Sequence, residues 1–393
     1  MKPKPKVCIV VATPLTIHFF FRQHIIKMSN WADISIIYNS ELNTHIDLGD
    51  LPSRNINVKI MRKMSLMHDA LAFFDLWRKF RKHQFDMVIT LVPKAGLLGI
   101  TAALLAGIPV RLHIFQGEVW ATATGMMRQI LKAADWLTAR FSTNLMAVSA
   151  SERAFLETEI ESTTQRIKVL GSGSICGVNL GRFKPDQSAR ELQRKIFGIP
   201  DNAVVAVFLG RLTRDKGVFL LVEAYRTVAA EFTNFYLVIA GPDEDNVVQH
   251  LVDGIGDSAR DRLIVSSFIE RPWVLLNAAD FLCLLSKREG FGMVAIEAGA
   301  CGIPSIGTKI YGLEDAIIDG ETGMLVPVND LSETVDALRK LIVDVGLRKV
   351  LGETARKRVI AEFEQEQIVD AYNAEFAKIF YEHISRSSQP DLV

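Results

Sequence analysis

Short apolar runs recur along this chain with amphipathic stretches between most of them, and that alternation restricts the fold more than any other feature. VCIVVA, DISIIYN, DMVITLV, VRLHIFQ, LMAVSA and IKVLG come first. Each reads as a buried strand, and the stretches between them read as helices. Strands that alternate with helices are βαβ units, and a series of them makes a parallel, doubly wound sheet. The rhythm breaks at GSGSICGVNLGRFKPDQSARELQRKIFGIPDN, which is rich in Gly, Ser and Pro and reads as a linker with one short helix. A second series then begins: AVVAVFLG, FYLVIAG, RLIVSSF, DFLCLLS, PSIGT and GMLVP. Three helical patterns follow, near residues 331–345, 346–362 and 365–385.

At 393 residues the chain is too long for one ordinary core. The expectation is an α/β protein of two facing Rossmann-like, doubly wound domains with a cleft between them. The first covers 1–172 and the second 173–366, with a linker over about 173–200. A last helix, 367–393, is expected to cross back to the first domain. Ligands of such sheets bind outside the strand carboxyl ends, so the cleft is the expected site.

Hydrophobic residues make up 49% and charged residues 23%, values of an ordinary soluble domain. The net charge is zero, so nothing in the overall balance suggests nucleic acid. The charge is unevenly spread. Residues 1–180 hold 21 Lys and Arg against 13 Asp and Glu, whereas residues 181–393 hold 24 against 32. The first half therefore favours anionic company. Four scattered cysteines form no CxxC pair and read as buried thiols of a reducing compartment. The start, MKPKPKVCIVVATPLTIHFFF, resembles a signal peptide only superficially. Its apolar core runs about six residues and no small-residue cleavage site follows, so a first strand is the better reading. The apolar run AGLLGITAALLAGIPV, 16 residues long, is too short to span a bilayer. A cytoplasmic protein without a transmembrane helix is expected.

Two stretches carry most of the chemistry. FLGRLTRDKG places Arg211 just past a strand end and Lys216 before Gly217. An Arg fork and a Lys point charge at a strand-to-helix turn suit a diphosphate, although a basic surface loop reads the same way. It lacks GxxxxGK[ST] and is no Walker A loop. SKREGFGMVAIEAGACGIP then follows the strand DFLCLLS, with helical periodicity from about Met293. The amides near Gly290, Phe291, Gly292 and Met293 would be helix N-terminal donors suited to phosphate. Glu297, one turn in, suits a vicinal diol such as a ribose. Glu289, before the turn, lies where a hexose would sit. Glu297 alone would otherwise be a solvated helix position, but its Ala and Ile neighbours argue for burial, and a buried unpaired Glu is costly.

Other positions divide between a functional and an ordinary reading. Asp243 and Asp245 in GPDEDN could hold a divalent metal, but a polar turn with an Asp N-cap is favoured. His113 ends the strand of RLHIFQGEVW and either touches a ligand or is a satisfied core histidine. The stretch MRKMSLMHDALAFFDLWRKFRKHQF mixes Arg62, Lys63, Arg78, Lys79, Arg81 and Lys82 with Met, Phe and Trp. It is either a helix lying on an anionic membrane surface or one packed on the sheet with a basic edge.

On these residues the chain resembles glycosyltransferase family 4, whose members have the two-domain GT-B fold. EGFGMVAIEAGACGIP resembles that family's E-x7-E signature, with Glu289 and Glu297 as its glutamates. GRLTRDKG, GVNLGRFKP, PSIGT and GETGMLVPVND resemble further family segments, in the expected order and over nearly the whole chain. The resemblance implies that Glu297 binds the donor ribose and Glu289 the donor sugar. It implies that Arg211 and Lys216 hold the diphosphate and that His113 lies near the transferred sugar. Gly210, Gly241, Gly290, Phe291, Gly292 and Met293 complete the implied nucleotide-binding set. The implied activity is a retaining transfer of a hexose or N-acetylhexosamine from a nucleotide-diphosphate sugar, UDP-linked by the family's habit. The acceptor would be polyprenyl-diphosphate-linked or another glycan, in O-antigen or capsule assembly. No cofactor or metal beyond the nucleotide sugar is expected. The chain would be peripheral on the inner face of the cell membrane through its basic first domain. Two departures stand out: ATPLTIHFF replaces a Gly-rich turn, and Asn179 replaces an aspartate in GVN.

Three rivals make different demands. A glycosidase would use Glu289 and Glu297 as acid and nucleophile flanking one bond, a poor fit to glutamates straddling a phosphate-binding turn. A nucleotide-sugar epimerase would convert donor without acceptor. A non-catalytic donor-binding subunit of a membrane assembly would bind nucleotide without turnover.

Overall fold

The computed structural model describes residues 3–43, 46–61, 64–160, 166–253, 255, 257–267 and 269–387. The chain forms two compact units. The first is Met1–Gly177 with Glu366–Val393, and the second is Val178–Gln365.

The first unit contains β1 (Lys6–Val10), β2 (Asp33–Tyr38), β3 (Ser53–Asn57), β4 (Met87–Leu91), β5 (Val110–Phe115) and β6 (Asn144–Ala147). Their order in the sheet is β3-β2-β1-β4-β5-β6, all parallel. β1 is central, paired to β2 and β4, and buried from Val7 to Val10. That position accounts for its unbroken apolar run, because helices cover both faces of a doubly wound sheet. The order reverses between β1 and β4, which puts the carboxyl-end crevice there.

Two details depart from the strand pattern expected from the apolar runs. Ser53–Asn57 is an edge strand with only Ile56 buried, so it shows no apolar run. IKVLG is not a strand and makes only a single bridge between Met146 and Lys168.

The second unit contains β7 (Val204–Leu209), β8 (Phe235–Ala240), β9 (Leu263–Ser266), β10 (Phe281–Leu284), β11 (Ser305–Thr308) and β12 (Gly323–Val326). The order is β12-β11-β10-β7-β8-β9, again parallel. Its core joins Phe208, Tyr225, Phe235, Phe281 and Leu338. The helix Gln187–Phe197, foreseen within the linker, is locked to this unit by charge. Arg194, 1% exposed, donates to the carbonyls of Ala278, Asp201 and Ala203 and pairs with Asp280 at 2.9 Å. Arg190 takes the other Asp280 oxygen at 2.8 Å.

The helix Gln365–Ser387 serves the first unit from Glu366 onward. The Tyr372 hydroxyl donates to the Ser174 carbonyl at 3.2 Å, and His24 lies edge-on against Tyr372 at 5.3 Å. All four cysteines are buried free thiols. Among the described residues no helix is long and apolar enough to cross a membrane.

Arg194 is a buried ion whose removal takes a donor from several carbonyls and leaves Asp280 Oδ2 with only the Val205 N–H, 2.7 Å away, among the described residues. Arg194→Ala should destabilise the protein by about 3 kcal/mol, read as a lower midpoint in denaturant unfolding. Arg190→Ala, at a position 25% exposed, should cost clearly less.

Candidate active site

β7 leaves its sheet at Gly210, whose N–H still donates to Ala240 at 3.0 Å. β8 ends beside it at Gly241, where a Cβ would run into the Gly210 carbonyl. Bare backbone therefore meets bare backbone at the carboxyl ends of two central strands, which is the role of glycine at such a place.

Arg211 follows Gly210. Its guanidinium, 40% exposed, pairs with Glu244 at 2.9 Å. A short turn, Arg214–Lys216, comes next and closes on Gly217 at φ +72°. A side chain on Gly217 would strike the Leu285 carbonyl, so only glycine lets this turn lie on the end of β10. A backbone bond from Lys287 N–H to the Asp215 carbonyl, 2.8 Å, holds the two segments together. Burial raises the Asp215 pKa, but the Thr213 hydroxyl bond and the charges of Arg288, Lys216 and Arg211 outweigh it, and the carboxylate stays below its usual range.

The turn delivers Lys216 to Glu289, with Nζ 2.6 Å from Oε1 and both side chains mostly buried. The Ser286 hydroxyl donates to the same oxygen at 2.8 Å. The Thr308 hydroxyl in turn binds the Ser286 carbonyl. Lys216, Glu289 and Ser286 thus form one polar cluster at the carboxyl end of β10.

From Glu289 the chain runs through Gly290 and Phe291 to Gly292, which caps the helix Met293–Ala300 at φ +88°. A Cβ there would strike Leu313. No side chain caps this helix start. The helices at Gln187, Leu331 and Val345 are instead capped by Asp186, Asp330 and Asp344. The Phe291 side chain is buried edge-on against Phe363 at 5.3 Å, so any part it plays toward a ligand runs through its backbone. Glu297 is half-buried and its carboxyl makes no hydrogen bond or ion pair among the described residues. Burial pushes its pKa up to about 8.

The second unit therefore brings Arg211, Lys216 and Glu289 into one region with Gly210, Gly241 and the Gly290–Met293 turn, with Glu297 on the same helix. His113 belongs to the first unit. It is buried on β5, with Nδ1 2.8 Å from the Thr90 hydroxyl and its ring edge-on to Phe115. Gly96 packs so closely that a Cβ would strike the imidazole. Burial lowers its pKa to about 3, so it is neutral. Asp243 accepts the Val247 and Val248 N–H groups and Asp245 accepts that of Arg214, the capping and turn roles favoured for them. Sequence reasoning missed Ser286 and Glu244. Ser286 ends an apolar strand and could have been found by position, whereas Glu244 looked like ordinary turn polarity.

Two doubly wound sheets, the second carrying a cationic turn against an uncapped helix start, define a GT-B protein. Solved structures agree on that fold. Sucrose-phosphate synthase from Thermosynechococcus elongatus superimposes with a TM-score of 0.80 at 19% identity, covering 96% of this chain and 100% of that one. Anabaena HepE in complex with UDP gives 0.76 at 16% identity, covering 95% and 100%. Residues 189–358 match the family profile described as glycosyl transferases group 1. The capsular polysaccharide biosynthesis glycosyltransferase CapM of Staphylococcus aureus is 27% identical over 295 residues, 75% of this chain and 77% of that one. An Escherichia coli UDP-Gal:alpha-D-GlcNAc-diphosphoundecaprenol alpha-1,3-galactosyltransferase is 26% identical over 291 residues, 72% and 73% of the two chains. The second unit thus matches the group 1 glycosyltransferase profile over residues 189–358, and the chain has the GT-B fold.

The raised Glu297 pKa has a measurable consequence. Its folded value, about 8, exceeds the usual carboxylate value of about 4.3. Between these values the folded state holds the proton and the unfolded state has lost it, so stability falls as pH rises through that window. Glu297→Gln should remove that contribution. Its advantage over wild type in thermal unfolding should grow from about pH 5 to pH 8. A difference independent of pH would show that burial does not govern this carboxyl.

Proposed function

We propose that the chain is a retaining glycosyltransferase. It moves a hexose or N-acetylhexosamine from a UDP-linked sugar to a polyprenyl-diphosphate-linked or other glycan acceptor during surface-polysaccharide assembly. The observation that carries this reading is the Lys216–Glu289–Ser286 cluster, 2.6 and 2.8 Å apart, beside the uncapped start of the Met293 helix. The diphosphoundecaprenol acceptor of the E. coli relative supports the acceptor class, the capsular role of the S. aureus relative supports surface-polysaccharide assembly, and the UDP of HepE supports the nucleotide.

In this reading Arg211, Lys216 and the helix amides receive the diphosphate, Glu297 accepts from the ribose hydroxyls, and Glu289 orients the sugar. As the bond between C1 and the diphosphate oxygen breaks, negative charge grows on the diphosphate, and the cations and helix amides oppose it. The acceptor oxygen forms its bond to C1 on the face that the diphosphate leaves, which retains configuration. The acceptor proton passes to a diphosphate oxygen. The chain's own charges meet this demand, so the mechanism uses no metal. Glu289 and Glu297 straddle a turn suited to phosphate, a poor fit to two carboxyls flanking one bond, which weighs against hydrolysis. His113 acts on the sugar, if at all, only through a neutral ring.

The first unit would meet the membrane. Its helix Leu66–His83 buries only Ala72, Leu76 and Phe80, and leaves Leu66, Met67, Leu71 and Phe74 exposed. Arg78, Arg81 and Lys82 are exposed toward its end, while Lys79 pairs with Asp75 at 2.6 Å. Arg62 and Lys63 lie outside the described residues. An apolar face with a basic end suits an anionic lipid surface.

Three measurements test these readings. In a thermal-shift screen without metal, UDP or its sugars should stabilise the protein, GDP and ADP less. Lys216→Ala should lower kcat with the best donor on the order of a hundredfold. Conversion of donor without acceptor would favour an epimerase, and binding without turnover a donor-binding subunit. Separately, changing Arg78, Lys79, Arg81 and Lys82 to Glu should abolish sedimentation with vesicles rich in anionic lipid. Unchanged sedimentation would remove the support for membrane contact.

A further inference from the structure

Two consecutive residues of the second unit, Asp215 and Lys216, meet the stretch Ser286–Glu289 in different ways. Lys216 reaches Glu289 with its ammonium. Asp215 meets the two residues before Glu289. Its carbonyl accepts the Lys287 N–H at 2.8 Å, and one carboxylate oxygen pairs with the Arg288 guanidinium at 3.2 Å. The other oxygen accepts the Thr213 hydroxyl. The Thr213 carbonyl in turn accepts the Lys216 N–H at 3.1 Å. Asp215 thus closes the turn on itself through Thr213. Through Lys287 and Arg288 it fastens the turn to the segment that carries Glu289.

Such a hold matters because the turn, Arg214–Lys216, is only three residues long. No helix ladder or sheet fixes its backbone. Lys216 carries its charge on a flexible four-carbon stem, so the ammonium is placed only as well as the backbone beneath it. Gly217 permits the approach to Leu285 but adds no bond, since a missing side chain only removes a clash. Asp245 takes the Arg214 N–H at 3.1 Å and fixes the start of the turn. Asp215 fixes the end that bears Lys216. Its pair with Arg288 is mostly buried on both sides, unlike a freely exchanging surface pair.

The charge of Asp215 works in the opposite direction from its bonds. The carboxylate lies in the field of Arg288, Lys216 and Arg211. A negative charge among three cations subtracts from the attraction felt by an incoming anion. By its field alone, Asp215 would weaken the binding of a diphosphate. By its bonds, it would strengthen that binding through Lys216. The two effects differ in sign, so one measurement separates them.

We propose that Asp215 is a positioning residue for the donor diphosphate: through Thr213, Lys287 and Arg288 it fixes the end of the turn from which Lys216 is presented. It acts through Lys216 and does not touch the donor. This rests on the glycosyl-transfer reading above, with Lys216 receiving the diphosphate.

The test reads UDP affinity by calorimetry and amide exchange in the free protein. Asp215→Ala should weaken UDP binding about tenfold, the size of one well-held contact. Loss of the field alone would tighten it. In the Lys216→Ala background, Asp215→Ala should bring no further loss, because the group it positions is gone. Without ligand, amide protection at Lys216 and Lys287 should fall about tenfold in Asp215→Ala, with the first unit unchanged. Should Asp215→Ala fail to fold, two milder variants carry the test. Asp215→Asn keeps an acceptor for Thr213, and Arg288→Gln leaves Asp215 in place. Each should weaken UDP binding with Lys216 present and not without it. Unchanged or tighter UDP binding would overturn the positioning role, as would an equal loss with and without Lys216. Unchanged protection at Lys287 in Asp215→Ala would overturn the hold on the turn. If wild type bound neither UDP nor another nucleoside diphosphate while that protection still fell, the transferase reading would be the one to fail, and the donor role of Asp215 with it.

Discussion

The Arg211–Lys216 turn lies on the end of β10 because Gly217 has no Cβ, and the Lys216–Glu289–Ser286 cluster depends on that approach. With any side chain at Gly217 the turn would lift off the Leu285 carbonyl, and the bond between Lys287 and Asp215 would stretch or break. Lys216 would then no longer reach Glu289. The parallel sheet supplies the other half of the constraint. Right-handed crossovers bring every strand's carboxyl end to one edge, so residues as far apart as Gly210, Gly241, Ser286 and Glu289 collect there. The fold decides where chemistry can occur, and a few missing Cβ atoms decide whether the groups touch.

The carboxyl groups of this chain show one residue type held in three electrostatic conditions. Glu289 sits against a cation and a hydroxyl. Glu297, on the next helix turn, has no such partner among the described residues, and burial favours its neutral form. Glu152 carries two backbone donors and a second acid. What separates them is the company each keeps, since all three are at least partly withdrawn from water. Only the third joins two strand ends, at Gly117 and Val148, and it acts as a clamp.

This also explains what the sequence made legible. The apolar strands were readable because burial on both faces demands unbroken hydrophobic runs. Ser53–Asn57 was not, because an edge strand with one buried side chain carries no such demand. IKVLG had the composition of a strand but makes only one bridge. Arg211, Lys216, Glu289 and Glu297 could be picked out because short-range spacing around glycines encodes a turn and a helix start. Glu152 could not. Ser149–Ala150–Ser151–Glu152 reads as a local cap, and its second oxygen binds a residue that only the fold brings near. His113 shows the opposite limit: a strand-end position suggested ligand contact, while Thr90, Gly96 and Phe115 enclose the ring.

The ion pairs also bear on which ligand the second unit can accept. Arg211 and Lys216 each already have a carboxylate, Glu244 and Glu289. An incoming anion must therefore replace existing charge–charge contacts, and the gain is only the difference between the two. Arg211 is 40% exposed, so its pair with Glu244 is weak and readily exchanged. Lys216 and Glu289 are more enclosed, and their pair, reinforced by Ser286, resists exchange. A single phosphate could take Arg211 but would gain little at Lys216. A diphosphate has a second anionic group to offer, along with oxygens for the helix amides. If the second unit takes a nucleoside diphosphate, as proposed, that second anionic group is what would offset the release of Glu289.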